Sequence, residues 1–235
     1  VLDVCSGFAP FSFAALQHGA GQVTAVDKSE RILHIAGQIC GRYGFPLDVL
    51  QKDVSKEDFS VEGKYDLIIL GYTLEQLFPV DQKSWASKQE AFIKKLTKNL
   101  TIDGHILIVA PSWAQENRQM LALRDKLVKS AFPIQAPCVW KGDCPALRND
   151  KGFCYAQREC KFPPFIQEVH RAAHIRMGSL KMSYLLCKHP DASWPLEKED
   201  PCYRVTSPLL ETMHGYRHHA WGTDGAKTIG KIVSE

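Results

Sequence analysis

The chain has 235 residues, of which 45% are hydrophobic and 23% charged, a composition that is typical of globular proteins and excludes disordered, collagen-like and coiled-coil proteins. No apolar run reaches the roughly 18–20 residues that cross a bilayer, so the sequence indicates neither a membrane span nor a membrane partner. Residues 112–235 carry 18 Lys and Arg against 13 Asp and Glu, whereas residues 1–111 carry 11 against 13, which favours the second half as a contact for polyanions.

Short apolar runs alternate with helical patterns over residues 1–131, which is typical of a parallel sheet built from βαβ units. The predicted strands are residues 1–4, 23–27, 48–52, 65–71 and 105–110, and the predicted helices are residues 10–17, 29–43, 89–99 and 116–130. We therefore expect a doubly wound, Rossmann-like α/β domain over residues 1–131, with a ligand at the carboxyl ends of its strands. Because the chain opens directly on a strand, we expect the N-terminal part of this domain, and any targeting peptide, to be missing.

Residues 132–178 differ in composition from the first 131, because they are rich in Pro and Cys and show little apolar periodicity. We predict a Cys-rich, metal-binding insertion here, followed over residues 179–235 by a small C-terminal β extension. Within these two ranges the pattern predicts a helix at residues 165–176, a strand at residues 181–188 and a β-hairpin. The hairpin strands, residues 216–221 and 228–233, flank the turn sequence Gly-Thr-Asp-Gly at residues 222–225.

The loop after the first predicted strand is the place where a bound cofactor would approach the backbone most closely. Gly7 permits this approach, but Cys5 and Ala9 stand at two of the positions where a phosphate-binding loop has glycine, so a dinucleotide is disfavoured. Asp27 ends the second strand, where a carboxylate can accept hydrogen bonds from both ribose hydroxyls of an adenosine. The alternative is that the acidic residues only cap helices.

Asp3, Ser6, Gly7 and Asp27 together resemble the first two motifs of class I S-adenosylmethionine methyltransferases. The resemblance implies that the cofactor is S-adenosylmethionine and that Asp53, after the third strand, lies at its adenine. Residues 71–74 lack the Asn/Asp-Pro-Pro-Tyr type of motif with which amino-methyltransferases polarise the target amine. Methyl transfer mainly requires alignment of two reactants, so catalytic residues are not assigned. The candidate cofactor-binding residues are Asp3, Ser6, Gly7, Asp27, Asp53 and Gly71.

Four of the eight cysteines lie in one stretch with the spacing C-x5-C-x9-C-x5-C. So dense a run in a chain with a full-sized core favours metal ligation over disulfides, which need an oxidising compartment, and over buried thiols. The spacing lacks the C-x2-C pairs of zinc ribbons and does not fit a ferredoxin, so zinc and iron–sulfur both stay open. The candidate metal ligands are Cys138, Cys144, Cys154 and Cys160.

A resemblance to one family extends in order along nearly the whole chain. The segments that carry it are residues 1–7 (VLDVCSG), 65–77 (YDLIILGYTLEQL), 136–138 (APC), 143–145 (DCP), 153–154 (FC) and 181–184 (KMSY). Together they are similar to the methyltransferase-like proteins of mitochondrial small-ribosomal-subunit assembly and their bacterial relatives. The A-P-C-x5-C-P element is the most specific of these segments.

This resemblance implies a protein of the mitochondrial matrix that binds small-subunit ribosomal RNA, meets ribosomal proteins or assembly factors, and carries a [4Fe-4S] cluster on four cysteines. Cys138, Cys144 and Cys154 match the first three ligands, whereas Trp221 stands at the position of the fourth. Zinc is the alternative metal, and Cys160 is the preferred fourth ligand because it is local. The candidates for the fourth ligand are Cys160, Cys202, His218 and His219.

Three functions follow from these observations. The first is an assembly factor or ribosome-associated protein that binds ribosomal RNA through the basic C-terminal half of a methyltransferase scaffold. The second is an active S-adenosylmethionine-dependent ribosomal RNA methyltransferase, and the third is a structural ribosomal subunit without cofactor. The predicted phosphate contacts are Lys141, Arg148, Lys151, Arg158, Lys161, Arg171 and Arg176, and the predicted stacking residues are Trp140, Tyr155 and Phe162.

Overall fold

The computed structural model of the protein describes residues 1–137, 140–148, 152–175, 178–192, 203–205, 210–212, 215–222 and 225–232. Its strands are β1 (Leu2–Val4), β2 (Thr24–Asp27), β3 (Asp48–Gln51), β4 (Tyr65–Gly71), β5 (Leu100–Pro111), β6 (Ile134–Ala136), β7 (Ala156–Glu159), β8 (Ser179–Lys188), β9 (Tyr203–Val205), β10 (Leu210–Thr212), β11 (Gly215–Gly222) and β12 (Gly225–Ile232). Its α-helices are α1 (Pro10–Gln17), α2 (Glu30–Arg42), α3 (Leu74–Leu77), α4 (Trp85–Leu96), α5 (Ala114–Lys129) and α6 (Pro164–Ala172).

Eight strands form one mostly parallel sheet in the order β3-β2-β1-β4-β5-β8-β6, with β7 also paired to β8. Strands β1 to β5 run parallel to one another, whereas β8 runs antiparallel to β5, β6 and β7. Because β1 lies between β2 and β4, the winding direction reverses at β1, and the loops after these strands diverge to leave a crevice. The predicted doubly wound, Rossmann-like α/β fold is confirmed.

The sheet also contains strands that the sequence pattern did not indicate. Three of its strands, β6, β7 and β8, come from beyond residue 131, and only β8 was predicted. Strands β6 and β7 are three and four residues long and lie in the Pro- and Cys-rich stretch. Strands this short carry too few residues for a period of two to be recognised, so pairing with β8 decides where they form.

The helices follow the apolar periodicity of the sequence. In α2, the buried residues Leu33, Ala36 and Cys40 lie three and four positions apart and therefore share one face. Ser29 caps this helix, because its side chain accepts a hydrogen bond from the backbone N–H of Ile32. Helix α4 begins four residues earlier than predicted, at Trp85, and ends at Leu96.

The largest hydrophobic core lies between the central strands and the helices that cover one face of the sheet. Its fully buried members include Leu2 of β1, Ile68 and Leu70 of β4, and Ile106 and Ile108 of β5. Parallel strands covered on both faces need nearly continuous apolar sequence, which β4 has over residues 67–70 and β5 over residues 106–110. These strands therefore form a rigid support for the loops at their carboxyl ends.

Strands β9 to β12 form a separate four-stranded antiparallel sheet, in which β11 pairs with β9, β10 and β12. Strands β11 and β12 are the two arms of the predicted hairpin, and Gly222 pairs with Gly225 at its turn. None of the helices in the described part of the chain is long and apolar enough to cross a membrane.

Candidate cofactor site and cysteine segment

A cavity of about 560 Å³ opens at the carboxyl ends of β1, β2 and β4. The loops that follow these strands form its wall, and parallel α/β sheets commonly bind ligands at this position because neighbouring loops diverge there and leave a crevice. The cavity gathers all of the candidate cofactor residues except Asp3. Those that line it are Ser6, Gly7, Asp27, Asp53 and Gly71.

The loop between β1 and α1 enters the left-handed backbone region at three alternate residues. The φ angles are 57° at Cys5, 55° at Gly7 and 56° at Ala9. This region favours glycine, because in other residues the Cβ atom clashes with the backbone at a cost of about 1–2 kcal/mol. Cys5 and Ala9 therefore adopt a backbone conformation that glycine adopts more readily.

Asp27 connects the tips of the first two strands. Its Oδ2 accepts a hydrogen bond from the backbone N–H of Gly7 at 3.0 Å, and its Oδ1 accepts one from the backbone N–H of Ser29 at 3.0 Å. The alternative that Asp27 is only a helix N-cap is wrong, because Ser29 is the N-cap of α2 and Asp27 also bonds to the loop after β1. Each carboxylate oxygen has a second lone pair, so the side chain can still accept hydrogen bonds from a ligand.

Asp3 lies beneath the loop and is not part of the cavity wall. Its side chain is only 1% exposed, and its Oδ2 accepts hydrogen bonds from the backbone N–H and the hydroxyl of Ser12 at 3.1 and 2.7 Å. Burial raises the pKa of this carboxyl to about 6, although the Ser12 hydrogen bonds act against the shift. The structure thus separates Asp3 from the other candidate residues and gives it the role of holding the start of α1.

Ser6 has a buried hydroxyl whose oxygen has no hydrogen-bond partner among the described residues. Its backbone N–H donates to the carbonyl of Val26 at 3.0 Å, which fixes the residue against β2. A buried polar atom without a partner costs about 1–3 kcal/mol. Because Ser6 lines the cavity, a ligand that supplies a hydrogen bond would remove this cost.

At the end of β4, the candidate residue Gly71 makes a contact that the sequence pattern did not indicate. A Cβ atom on Gly71 would lie 2.1 Å from Cε2 of Phe11, so the ring of Phe11 occupies the space that a side chain would need. Tyr72 follows with φ 55°, and its backbone N–H donates to the carbonyl of Val109 at 2.8 Å. The hydroxyl of Thr73 lies 3.1 Å from the carbonyl of Gly71. No local pattern reveals the contact between Phe11 and Gly71, because it joins α1 to β4.

Two lysines and two aspartates lie in the cavity wall, which gives these four side chains a formal charge near zero. Lys52 donates to the carbonyl of Ser60 at 2.6 Å. Hydrogen bonds from Ser55 to Asp53 lower the pKa of the Asp53 carboxyl. Burial, together with the nearby charge of Asp27, raises the pKa of the Cys5 thiol to about 12, so this thiol is neutral. The charged residues of the wall are Asp27, Lys28, Lys52 and Asp53.

Cys144 and Cys154, two of the candidate metal ligands, belong to one small apolar cluster with Leu121 of α5. The carboxylate of Asp125 accepts the backbone N–H of Cys144 with both oxygens at 2.9 Å. Burial raises the pKa of the Cys144 thiol. Helix α5 thus holds the backbone at Cys144 through the carboxylate of Asp125.

Asn117 attaches the Cys154 segment to the same helix. Its Nδ2 donates to the carbonyl of Cys154 at 2.8 Å and to the hydroxyl of Ser183 at 2.7 Å, while its Oδ1 accepts the backbone N–H of Cys154 at 3.3 Å. Asn117 is fully buried, as is Ser183 in β8. The side chain therefore joins α5, β8 and the cysteine segment.

The other cysteine candidates are placed differently. Cys160 follows β7, whose four extended residues Ala156–Glu159, about 10 Å from end to end, lie between it and Cys154 in the chain. Cys138 and Cys202 lie outside the described residues. Within the described ranges no group of three or more His, Cys, Asp or Glu could hold a metal ion.

Among the predicted RNA-contacting residues that the structure describes, the cations are exposed and the aromatic side chains contact other protein groups. Trp140 donates from Nε1 to the carbonyl of Asp143 at 3.0 Å. The ammonium of Lys181 lies 5.0 Å from the ring centroid of Tyr155, and the ring of Phe162 packs edge-on against His170 at 4.9 Å. Lys151 and Arg176 lie outside the described residues. The exposed basic candidates are Lys141, Arg148, Arg158, Lys161 and Arg171.

Solved structures of methyltransferases share this fold. A methyltransferase from Pyrococcus furiosus is 12% identical and matches 80% of this chain and 73% of its own, with a TM-score of 0.50. The ribosomal protein L11 methylase of Lactobacillus delbrueckii subsp. bulgaricus is 17% identical over 80% of this chain and 68% of its own, with a TM-score of 0.47. The N-methyltransferase NodS of Bradyrhizobium japonicum, solved with S-adenosyl-L-homocysteine, is 13% identical over 81% of this chain and 77% of its own, with a TM-score of 0.48. At these identities the similarity concerns the fold alone.

Sequence comparison gives a more specific result. No curated protein sequence matches the chain. A family model described as "Mitochondrial small ribosomal subunit Rsm22" matches residues 1–200. This match covers most of the 235 residues, including β1 to β8 and the cysteine segment. The chain belongs to the Rsm22 family of the mitochondrial small ribosomal subunit.

Proposed function

We propose that the protein binds S-adenosylmethionine and acts in the mitochondrial matrix as an RNA-binding assembly factor or associated protein of the small ribosomal subunit. The observation that carries the cofactor assignment is the 3.0 Å hydrogen bond from Gly7 to Asp27, which holds the glycine loop against the tip of β2. Membership of a small-ribosomal-subunit family supports the ribosomal part of the proposal. The basic residues of the C-terminal half would contact phosphates.

The groups around the cavity fit this cofactor. Asp27 would accept hydrogen bonds from the ribose hydroxyls through its remaining lone pairs, and Gly7 leaves the backbone open to close approach. Asp53 would lie near the adenine, and the buried Ser6 hydroxyl, which lacks a partner among the described residues, would gain one. When bound, the cofactor supplies a methyl group on a sulfonium centre.

Calorimetric titration with S-adenosylmethionine and S-adenosylhomocysteine tests the cofactor assignment. The Asp27→Ala variant should bind either ligand about 100-fold more weakly, since it loses charge-assisted hydrogen bonds and frees the Gly7 loop. Asp48→Ala, which removes an exposed carboxylate bonded to Gln22, is the matched control and should bind like the wild type. Equal affinity of the wild type and Asp27→Ala would remove the cofactor assignment.

Methyl transfer to ribosomal RNA is the second candidate function. The observation in its favour is that Tyr72 and Thr73 follow β4 at the wall of the same cavity, where a substrate could be aligned with the cofactor. Incubation with labelled S-adenosylmethionine and small-subunit RNA should transfer label to the RNA if this function holds. RNA binding with a steep salt dependence and no label supports the assembly factor, whereas a structural subunit would lack cofactor binding and sediment with mature ribosomes.

For the Cys-rich insertion, residues 132–178, we propose a [4Fe-4S] cluster on Cys138, Cys144 and Cys154, with zinc as the alternative. The packing of Cys144 and Cys154 in one cluster supports two of these ligands, but the described residues alone do not make a complete metal site. The extended β7 argues against Cys160 as the fourth ligand. Cys202, His218 and His219 are the remaining candidates.

The metal and sulfide content of anaerobically purified protein distinguishes an iron–sulfur cluster from zinc and from a site without metal. The wild type should be brown with about four irons, and Cys144→Ser should bleach it, whereas Cys160→Ser should keep both colour and iron. The variants Cys202→Ser, His218→Ala and His219→Ala would identify the fourth ligand. A colourless protein with stoichiometric zinc would establish the alternative metal, and one with neither metal would exclude both.

A further inference from the structure

Three exposed aromatic residues follow three neighbouring strands at the carboxyl edge of the main sheet. Phe8 lies in the loop after β1, Tyr72 directly follows β4, and Trp113 comes two residues after β5. Their exposed fractions are 58%, 42% and 71%. Since β1, β4 and β5 are adjacent in the sheet, the three residues follow neighbouring strands at the same edge. Phe8 and Tyr72 also line the cofactor cavity.

The backbone and the neighbouring ring hold Tyr72 in place. A tyrosine at φ 55° is strained, and such outliers persist where the surrounding structure enforces them. Here the backbone N–H of Tyr72 is bonded to Val109 of β5, and the ring of Phe11 lies 6.1 Å from that of Tyr72. Phe11 in turn fills the space above Gly71. The ring of Tyr72 is therefore held by the ring of Phe11 and is still partly exposed to solvent.

Exposed rings next to a cavity of balanced charge suit a flat, uncharged aromatic ligand. Two lysines and two aspartates in the wall leave little net charge there. Unpaired nucleobases stack on aromatic side chains, and this stacking tolerates any base. In contrast, the side chains of Trp140, Tyr155 and Phe162 are only partly exposed and contact protein groups.

We infer that Phe8, Tyr72 and Trp113 form a stacking row for single-stranded RNA, with a nucleobase on Tyr72 at the mouth of the cofactor cavity. This inference rests on the proposed function in so far as the protein acts on RNA. It places base recognition at the sheet edge, whereas the phosphate contacts lie in the C-terminal half.

The test is the affinity of the full chain for a fluorescein-labelled single-stranded RNA of about ten nucleotides. Phe8→Ala, Tyr72→Ala and Trp113→Ala should each weaken binding about tenfold, because each removes one stacked base. Tyr72→Phe should keep the affinity. The matched control is Tyr43→Ala, which removes an exposed tyrosine at the C-terminal end of α2 and should bind like the wild type. The salt dependence of RNA binding should be the same in all of these variants as in the wild type, since none of them loses a phosphate contact.

Several outcomes overturn the inference. One is wild-type RNA affinity in both Phe8→Ala and Tyr72→Ala with normal circular dichroism, and another is equal binding of duplex and single-stranded RNA. Weaker S-adenosylhomocysteine binding with unchanged RNA affinity would also overturn it, because the rings would then contact only the cofactor. A wild type that binds RNA but not S-adenosylmethionine refutes the proposed cofactor and leaves the stacking row standing. A wild type that binds the cofactor but no single-stranded RNA refutes the stacking row alone.

Discussion

The ring of Phe11 occupies the space where a side chain on Gly71 would lie, with 2.1 Å between Cε2 of the ring and an added Cβ atom. This relationship joins α1 to the end of β4 and sets the position of the residues that follow, including Tyr72. Glycine is needed at this position because of the close approach of a ring, since the backbone of Gly71 does not adopt a positive φ.

Gly71→Ala should therefore lower the free energy of unfolding by about 1–3 kcal/mol, because the methyl group displaces the Phe11 ring. Urea denaturation measures the change. Gly37→Ala in α2 is the matched control: a Cβ atom there meets nothing within 4 Å, so alanine should raise stability by about 0.5–1 kcal/mol. In the double variant Gly71→Ala with Phe11→Leu, much of the loss should be recovered; a purely additive result would contradict the proposed clash.

Asp3 should make stability depend on pH. Its pKa is raised by burial from 3.8 to about 6, so the folded state binds the proton more tightly than the unfolded state does. The contribution is fully present below about pH 4 and is lost as the pH rises through 6, which amounts to about 2–3 kcal/mol. The difference in unfolding free energy between the wild type and Asp3→Asn should therefore change across this window. A constant difference from pH 4 to pH 7 would show that Asp3 titrates normally.

Cys5 should resist alkylation even though it lines an open cavity. Its thiol has a pKa of about 12, so iodoacetamide at pH 8 should modify it roughly a thousandfold more slowly than an ordinary cysteine. Mass spectrometry of peptides after timed quenching gives the rate. The urea-unfolded protein provides the control, because its cysteines should all react quickly. Rapid labelling of Cys5 in the folded protein would indicate a thiolate and a nucleophilic role.

Asn117→Ala should destabilise the protein by about 2–4 kcal/mol, since it breaks hydrogen bonds to both backbone groups of Cys154 and to the hydroxyl of Ser183. The same variant should expose the Cys154 segment to limited proteolysis. Gln115→Ala changes an exposed side chain of the same helix and should have no effect on either measurement. Unchanged proteolysis in Asn117→Ala would mean that other contacts hold the cysteine segment.

Much of the main sheet was predictable from the sequence, because its parallel strands are apolar runs bounded by clear turns. β4 begins and ends where the pattern predicts, and β1, β2 and β3 differ from prediction by one residue at one end. β6 and β7 could not be predicted, since their positions depend on pairing with β8, far along the chain.

The candidate site was predictable in its location but less so in its details. The alternation of strands and helices placed a cavity at the tips of β1 and β2, and Asp27 lies in its wall. The roles of Asp3 and Phe11 depend on which way each side chain points after packing, and a linear pattern does not contain this information. Cys5 and Ala9 show the converse, because both have the left-handed backbone although neither is the glycine that a phosphate-binding loop has at these positions.

The position of β8 has a consequence for synthesis of the chain. β8 is made after β6 and β7 but lies between β5 and β6, so the outer edge of β5 has no neighbour until residue 188 has been synthesised. The strands that surround the cofactor cavity are complete once β4 has been made. During this interval the edge of β5 is exposed to aggregation, and a ligand bound at the tips of β1, β2 and β4 would stabilise the unfinished sheet.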